Sequence, residues 1–175
     1  MKPVLKFRPG KLPAKEKCIY RADELMLVYE VSEPLSDSSG APVLAKMIDQ
    51  QFGLNKPTEL LLIADTLTLT FSGADKHLSS IDAYTNKQRW STSSLRNVPE
   101  SNDQGALLAE PDSFEGDRCS LGLTPMYEVA SNREWVRVIL NNEISDSYYE
   151  VASGLIVGLK SQAITEIFLL DVAFQ

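Results

Sequence analysis

Histidine is nearly absent from this sequence: His77 stands alone among 175 residues. A two-histidine metal site within one subunit is therefore excluded, and any Ser-His-Asp or Cys-His arrangement would have to run through His77. Cysteine is almost as scarce. Cys18 and Cys119 lie far apart with no CxxC pair, which excludes a four-ligand structural zinc unless carboxylates supply half the shell. Lys17 beside Cys18 and Arg118 beside Cys119 are a faint redox hint, against the commoner reading of both thiols as small buried apolar groups. No GxGxxG, GxxxxGK[ST], HExxH or GxSxG pattern occurs, so nucleotide-loop, zincin and serine-hydrolase chemistry have no sequence support. Long apolar runs are missing too. The longest, ELLLIADTLTLTF, is broken by Asp65 and its threonines and falls short of the roughly 18 residues of a membrane span. The opening MKPVLKFRPGKLPAKEK has charges but no apolar stretch behind them, so no secretory signal and a cytoplasmic location are expected.

What is present is an ordinary globular composition, 43% hydrophobic and 23% charged, with a net charge of −7. That average hides an asymmetry. Residues 1–22 carry seven bases and one acid, net +6, while the rest carries ten bases and 23 acids, net −13. So acidic a body repels phosphate backbones and anionic lipid heads, which makes nucleic acid and membrane poor partners. The basic start reads more simply as a Lys/Arg-faced strand lying against the acidic body than as a phosphate-gripping arm.

Two-residue alternation dominates the chain. VLKFR sets Leu5 and Phe7 against Lys6 and Arg8, and residues 25–31 (LMLVYEV) form a half-buried strand. TLTLTF alternates Leu67, Leu69 and Phe71 with Thr66, Thr68 and Thr70, and the turn Ser72-Gly73-Ala74-Asp75 leads into a returning strand, LSSIDAYT. WVRVIL turns Val136, Val138 and Leu140 one way and Trp135, Arg137 and Ile139 the other. SYYEVASGLIVGL is a further strand or pair, with Gly154 and Gly158 at a bulge or bend. The middle of ITEIFLLDVAF is apolar on both faces, which places it inside a sheet covered on two sides. One segment follows helical spacing: Leu44, Met47, Ile48 and Phe52 form a single stripe, with Pro42 in the first turn and Gly53 as the stop. The stretch 97–117 holds six acids, no base, two prolines and two glycines, and reads as a long surface loop or linker.

The expected fold is therefore mainly β (α+β at the margin), an antiparallel barrel or sandwich of about eight to ten short strands with one helix near 42–52. Residues 1–175 are expected to form a single domain, with a two-lobed division into 1–96 and 118–175 as the alternative.

Three groups of residues are candidates for function. Arg133, Trp135 and Arg137 share strand parity, and an aromatic flanked by two guanidinium groups suits anions, carboxylates or a partner's aromatics. Asp75 and His77, two apart, can pair on one strand face, with Asp82 within reach across the hairpin. Asp65 shares parity with Leu61, Ile63, Leu67 and Leu69, so an unbroken strand would turn it inward, whereas a bulge or break between ELLLIA and TLTLTF removes that demand. Glu166 interrupts the parity of Ile164, Phe168, Leu170 and Val172, close enough to the strand's start to reach solvent; facing one cavity, Asp65 and Glu166 would make an acid/base pair. The expectation that follows is a non-catalytic binding or protein-interaction module, with Trp135 as anchor and a protein partner or a second copy of the chain bound there. The alternative is a β-barrel around a small ligand, with carboxylate-based hydrolase or isomerase chemistry. No catalytic residue, metal or cofactor is assigned.

Overall fold

The computed structural model describes residues 2–32 and 59–175. The strands run β1 (Leu5–Pro9), β2 (Lys15–Arg21), β3 (Met26–Val31), β4 (Leu60–Ala64), β5 (Leu67–Ser72), β6 (His77–Tyr84), β7 (Ser91–Thr92) and β8 (Asp103–Ala109). They continue with β9 (Arg118–Ser120), β10 (Met126–Val129), β11 (Trp135–Ile139), β12 (Ser147–Ala152), β13 (Leu155–Lys160), β14 (Ala163–Leu170) and β15 (Ala173–Phe174). The helix expected near 42–52 lies outside the described residues. Among the described residues, helical geometry is confined to single 3-10 turns at Lys87–Arg89 and Pro111–Ser113.

The strands form one mixed sheet curled into a half-barrel. The backbone of the path is antiparallel, as the alternating runs and short turns require. The expectation of a purely antiparallel sheet is corrected by four parallel pairings, β2 with β15, β4 with β9, β7 with β10 and β8 with β12. Each is two or three residue pairs long, so short segments clip onto strands already paired elsewhere and no helical crossover is needed. Three of these clips, β15, β7 and β9, are brief terminal strands that offer little template for another chain, whereas β1, five residues long, is also paired with a strand on one side only.

Strand β8 joins the two runs of the sheet. Asp103 and Gln104 run parallel to Tyr149 and Glu150 of β12, Gly105 to Ala109 pair antiparallel with β1, and Leu108 meets His77 of β6. The long loop or linker expected over 97–117 is thus replaced in its middle by a strand. Its acids sit at the ends, while Leu107 and Ala109 alternate inward to burial.

The concave side holds one continuous core. Tyr20, Leu27, Tyr29, Leu62, Leu67, Leu69, Phe71 and Ile81 meet Val138, Val157, Ile167 and Leu169 from the other end of the sheet. Bulges interrupt the register at four places among the described residues, two of them on β6 and β14. A bulge at Ser79 lets both Leu78 and Ile81 face inward although they are three apart. A second bulge, at Thr165, does the same for Ile164 and Ile167. Leu67, Leu69 and Phe71, the apolar positions of the alternating TLTLTF run, are all fully buried in this core.

The basic start lies against acidic neighbours. Lys6 pairs with Glu110, Arg8 with Asp75 at 2.7 Å, Lys15 with Asp171 at 3.7 Å and Lys17 with Glu30 at 3.8 Å. No helix among the described residues is long and apolar enough to cross a membrane.

Candidate functional site

Glu166 owes its position to the bulge on β14. Gly158 stands opposite Glu166 and Leu159 opposite Ile164, which leaves Thr165 without an opposite. Beyond the bulge Ile167 and Leu169 point into the core while Glu166, Phe168 and Leu170 point to the convex face. The strand register then lays two rows across that face. One row reads Met126, Ile139, Glu166, Gly158 and Tyr148; the next reads Glu128, Arg137, Phe168, Ile156 and Glu150.

The segment 93–102 straps over part of this face. Ser93 Oγ donates to Glu128 Oε2 at 2.7 Å, Val98 packs on the cluster of Trp135, Phe168, Ile156 and Ala130, and Asn102 exchanges hydrogen bonds with the Tyr148 backbone. What the strap leaves open, bounded by the β11–β12 connection, is a cleft of about 300 Å3 lined by Arg137, Ile139, Asn142, Ile144, Tyr148 and Glu166 among others.

At its floor lies a buried ionic network. Glu166, 5% exposed, accepts at Oε2 from Arg137 Nε (2.6 Å) and at Oε1 from the hydroxyls of Tyr148 (2.6 Å) and Ser145 (3.0 Å). Ser145 also meets Thr165 Oγ1 at 2.6 Å, and Thr165 donates to the Gly158 carbonyl at 3.0 Å. Arg137 Nη1 donates to Glu128 Oε2 at 3.1 Å, and its guanidinium lies 5.6 Å from the Phe168 ring centre. Burial by itself would lower the Arg137 pKa, but the bonds to Glu166 and Glu128 outweigh it and hold the group above its usual value. Burial, followed by donation to Glu166, raises the Tyr148 pKa. Gly158 makes the arrangement sterically feasible: a Cβ there would stand 2.3 Å from Ser145 Oγ and 2.9 Å from Glu166 Cγ.

The candidate residues divide differently from the sequence reading. Arg137 and Glu166, assigned to separate groups, meet directly. The exposed Arg133-Trp135-Arg137 face does not form. Arg133 sits in the β10–β11 turn with φ of +61°, and Trp135, 4% exposed, packs edge-on to Phe168 at 5.7 Å between centroids. Glu166 does not reach solvent, because its strand is interior and covered. Asp65 does not line this cleft: it occupies the exposed two-residue turn between β4 and β5 with φ of +51°, a conformation aspartate tolerates. That turn breaks the parity drawn through it, so Leu60, Leu62 and Ala64 face inward in place of Leu61 and Ile63.

Asp75 and His77 do pair, Oδ1 to Nδ1 at 2.7 Å, and the third member is Arg8 at 2.7 Å from Oδ2. Asp82 turns to Ser80 instead, at 3.1 Å. Burial opposes ionisation of Asp75, yet the bonds from His77 and Arg8 prevail and keep its carboxyl below the usual range. Both cysteines are buried, and burial pushes the Cys18 thiol up to about 11 and raises that of Cys119, which removes the redox hint. Among the described residues no group of three or more His, Cys, Asp or Glu could hold a metal ion.

Ser145, Asn142 and Ile144 were not singled out in the sequence. A buried acid on an interior strand demands donors, so the loop hydroxyls near it were the signal to follow. Compared with known proteins, the chain matches no family model and no curated relative.

Proposed function

We propose that this chain is a non-catalytic binding module and that its contact site is the Arg137–Glu166 cleft, which receives a neutral, amide-like group and an adjoining aliphatic side chain of a partner protein. The observation that carries the reading is the occupancy of Glu166: both carboxylate oxygens already accept hydrogen bonds from this chain's own donors. A carboxylate so engaged is scaffold for the cleft floor, whereas general acid–base work needs an oxygen within reach of substrate. Arg137 pairs with two glutamates, a trio of net charge −1, so an anion is repelled here, while both Glu166 oxygens are already engaged and Asn141 and Asn142 in the lining offer amide partners. Ile144, 84% exposed on the rim, and Ile139 on the wall supply apolar contact.

The test is a titration of isotope-labelled protein with N-methylacetamide, acetate and methylammonium, followed by NMR. Saturable shifts confined to Asn141, Asn142, Ile144 and Tyr148 are expected with N-methylacetamide. Shifts at this set by none of the three would refute the site. Turnover of an ester or amide probe that Glu166→Gln abolishes, with the fold retained, would replace binding by carboxylate chemistry.

A further inference from the structure

On the opposite face of β12 lies a larger groove of about 610 Å3, between β1 and the β12–β13 hairpin. We propose that this groove is a second contact site, independent of the Glu166 cleft, and that it takes a basic, extended segment of a partner protein. Its floor is aromatic: Phe7 and Tyr149, both half-buried, stack with centroids 4.1 Å apart and planes 19° from parallel. Its walls are acidic. Asp103 stands in register with Tyr149 across the β8–β12 pairing, and Asp146 lies just before β12. Asp103 accepts from the Gln104 backbone N–H and Asp146 from that of Ser161, and neither forms an ion pair among the described residues.

The cation nearest in sequence to the floor is already committed. Lys6 lines the groove, but its amine goes to Glu110, and Arg8 goes to Asp75. Two carboxylates beside a stacked aromatic pair therefore face the groove without compensation. A lysine or arginine from outside gains both an ion pair and a cation–π contact there, and its alkyl stem covers the rings. The acidic body, net −13 beyond residue 22, steers such a segment inward and turns phosphate-bearing partners away. The groove follows the direction of β1, which suits an extended segment whose alternate side chains point down and out.

The probe is a blocked pentapeptide, acetyl-Val-Arg-Val-Arg-Val-amide, titrated into the labelled full chain, with acetyl-Val-Glu-Val-Glu-Val-amide as its control. The basic peptide is expected to give saturable shifts at Phe7, Asp103, Asp146 and Tyr149, weakening as salt rises, and the acidic one none. The double substitution Asp103→Asn, Asp146→Asn is expected to weaken binding at least tenfold with an unchanged thermal midpoint. Should that variant lose its fold, Asp103→Asn alone decides, with a loss of threefold or more expected. Equal binding of the two peptides, undiminished binding by the variants, shifts at Asn141 and Asn142 in place of this set, or a dimer of the chain occupying the groove in sedimentation would each overturn the assignment. The expected shifts at Phe7, Asp103, Asp146 and Tyr149 and the effect of the Asp103 and Asp146 substitutions do not depend on the Glu166 cleft.

Discussion

Removing the indole of Trp135 would open a void among Phe168, Ile156 and Ala130 that the strap cannot fill. Trp135→Ala is expected to cost about 3–5 kcal/mol in urea unfolding, the range for emptying a buried aromatic site. A variant of unchanged stability would show the side chain to be a surface anchor after all. Cys18 gives a second residue-scale expectation. Its thiol is raised from 9.0 to about 11, first by burial, with Asp171 adding to the rise and Lys15 opposing it. The folded state thus keeps a proton that the unfolded chain loses near pH 9, so stability present below that pH falls as pH climbs through 11. The loss is about 2–3 kcal/mol over that window, and Cys18→Ala should flatten the slope in denaturation series at pH 8 and pH 11. At this scale the sequence showed Arg137 and Glu166 as noteworthy but not as partners. Their meeting depends on which residue of β11 faces which of β14, and that register is set across a gap in the chain that periodicity does not span.

Elements were easier to read where alternation was unbroken and harder where one residue was added. Leu67 to Phe71 and Val136 to Leu140 face as their spacing demands. On β14, the extra residue Thr165 reverses the faces, so parity counted from Ile164 misplaced Glu166, Phe168 and Leu170. β8 was hidden for a compositional reason: acids, prolines and glycines surround it, although Leu107 and Ala109 keep the period. The bulge also yields a prediction. Gly158→Ala puts a methyl where Ser145 Oγ stands at 2.3 Å, so Ser145 must leave Glu166 or the strands must part. The expected cost is about 1–3 kcal/mol, as for other overpacked interiors, with NMR shifts centred on Ser145 and Tyr148. A silent substitution would mean that the serine is not held in place by the network.

Across the whole molecule, charge is arranged so that a basic opening strand pairs with an acidic remainder. The Arg8–Asp75–His77 contact joins β1 to the β5–β6 turn. Because Asp75 is held below its ordinary value, its contribution is present above the unfolded carboxylate range near pH 4 and is lost as pH falls through the lower, folded value. Asp75→Asn should remove that portion of the acid dependence, read as a smaller drop in melting temperature between pH 5 and pH 3. An unaltered acid profile would place the acid sensitivity elsewhere. Mainly-β architecture, the interior placement of 164–170 and the β5–β6 hairpin were legible from spacing. The mixed sheet was not, since its parallel clips are two or three residues long and leave no period to detect.

The pairing of β1 with β8, Leu5 against Ala109 and Pro9 against Gly105, has a consequence for biosynthesis. Strand β1 leaves the ribosome long before β8 and finds this neighbour only after the chain has been translated past Ala109, so a chaperone that shields Leu5 and Phe7 during that interval would raise the yield of correctly closed molecules.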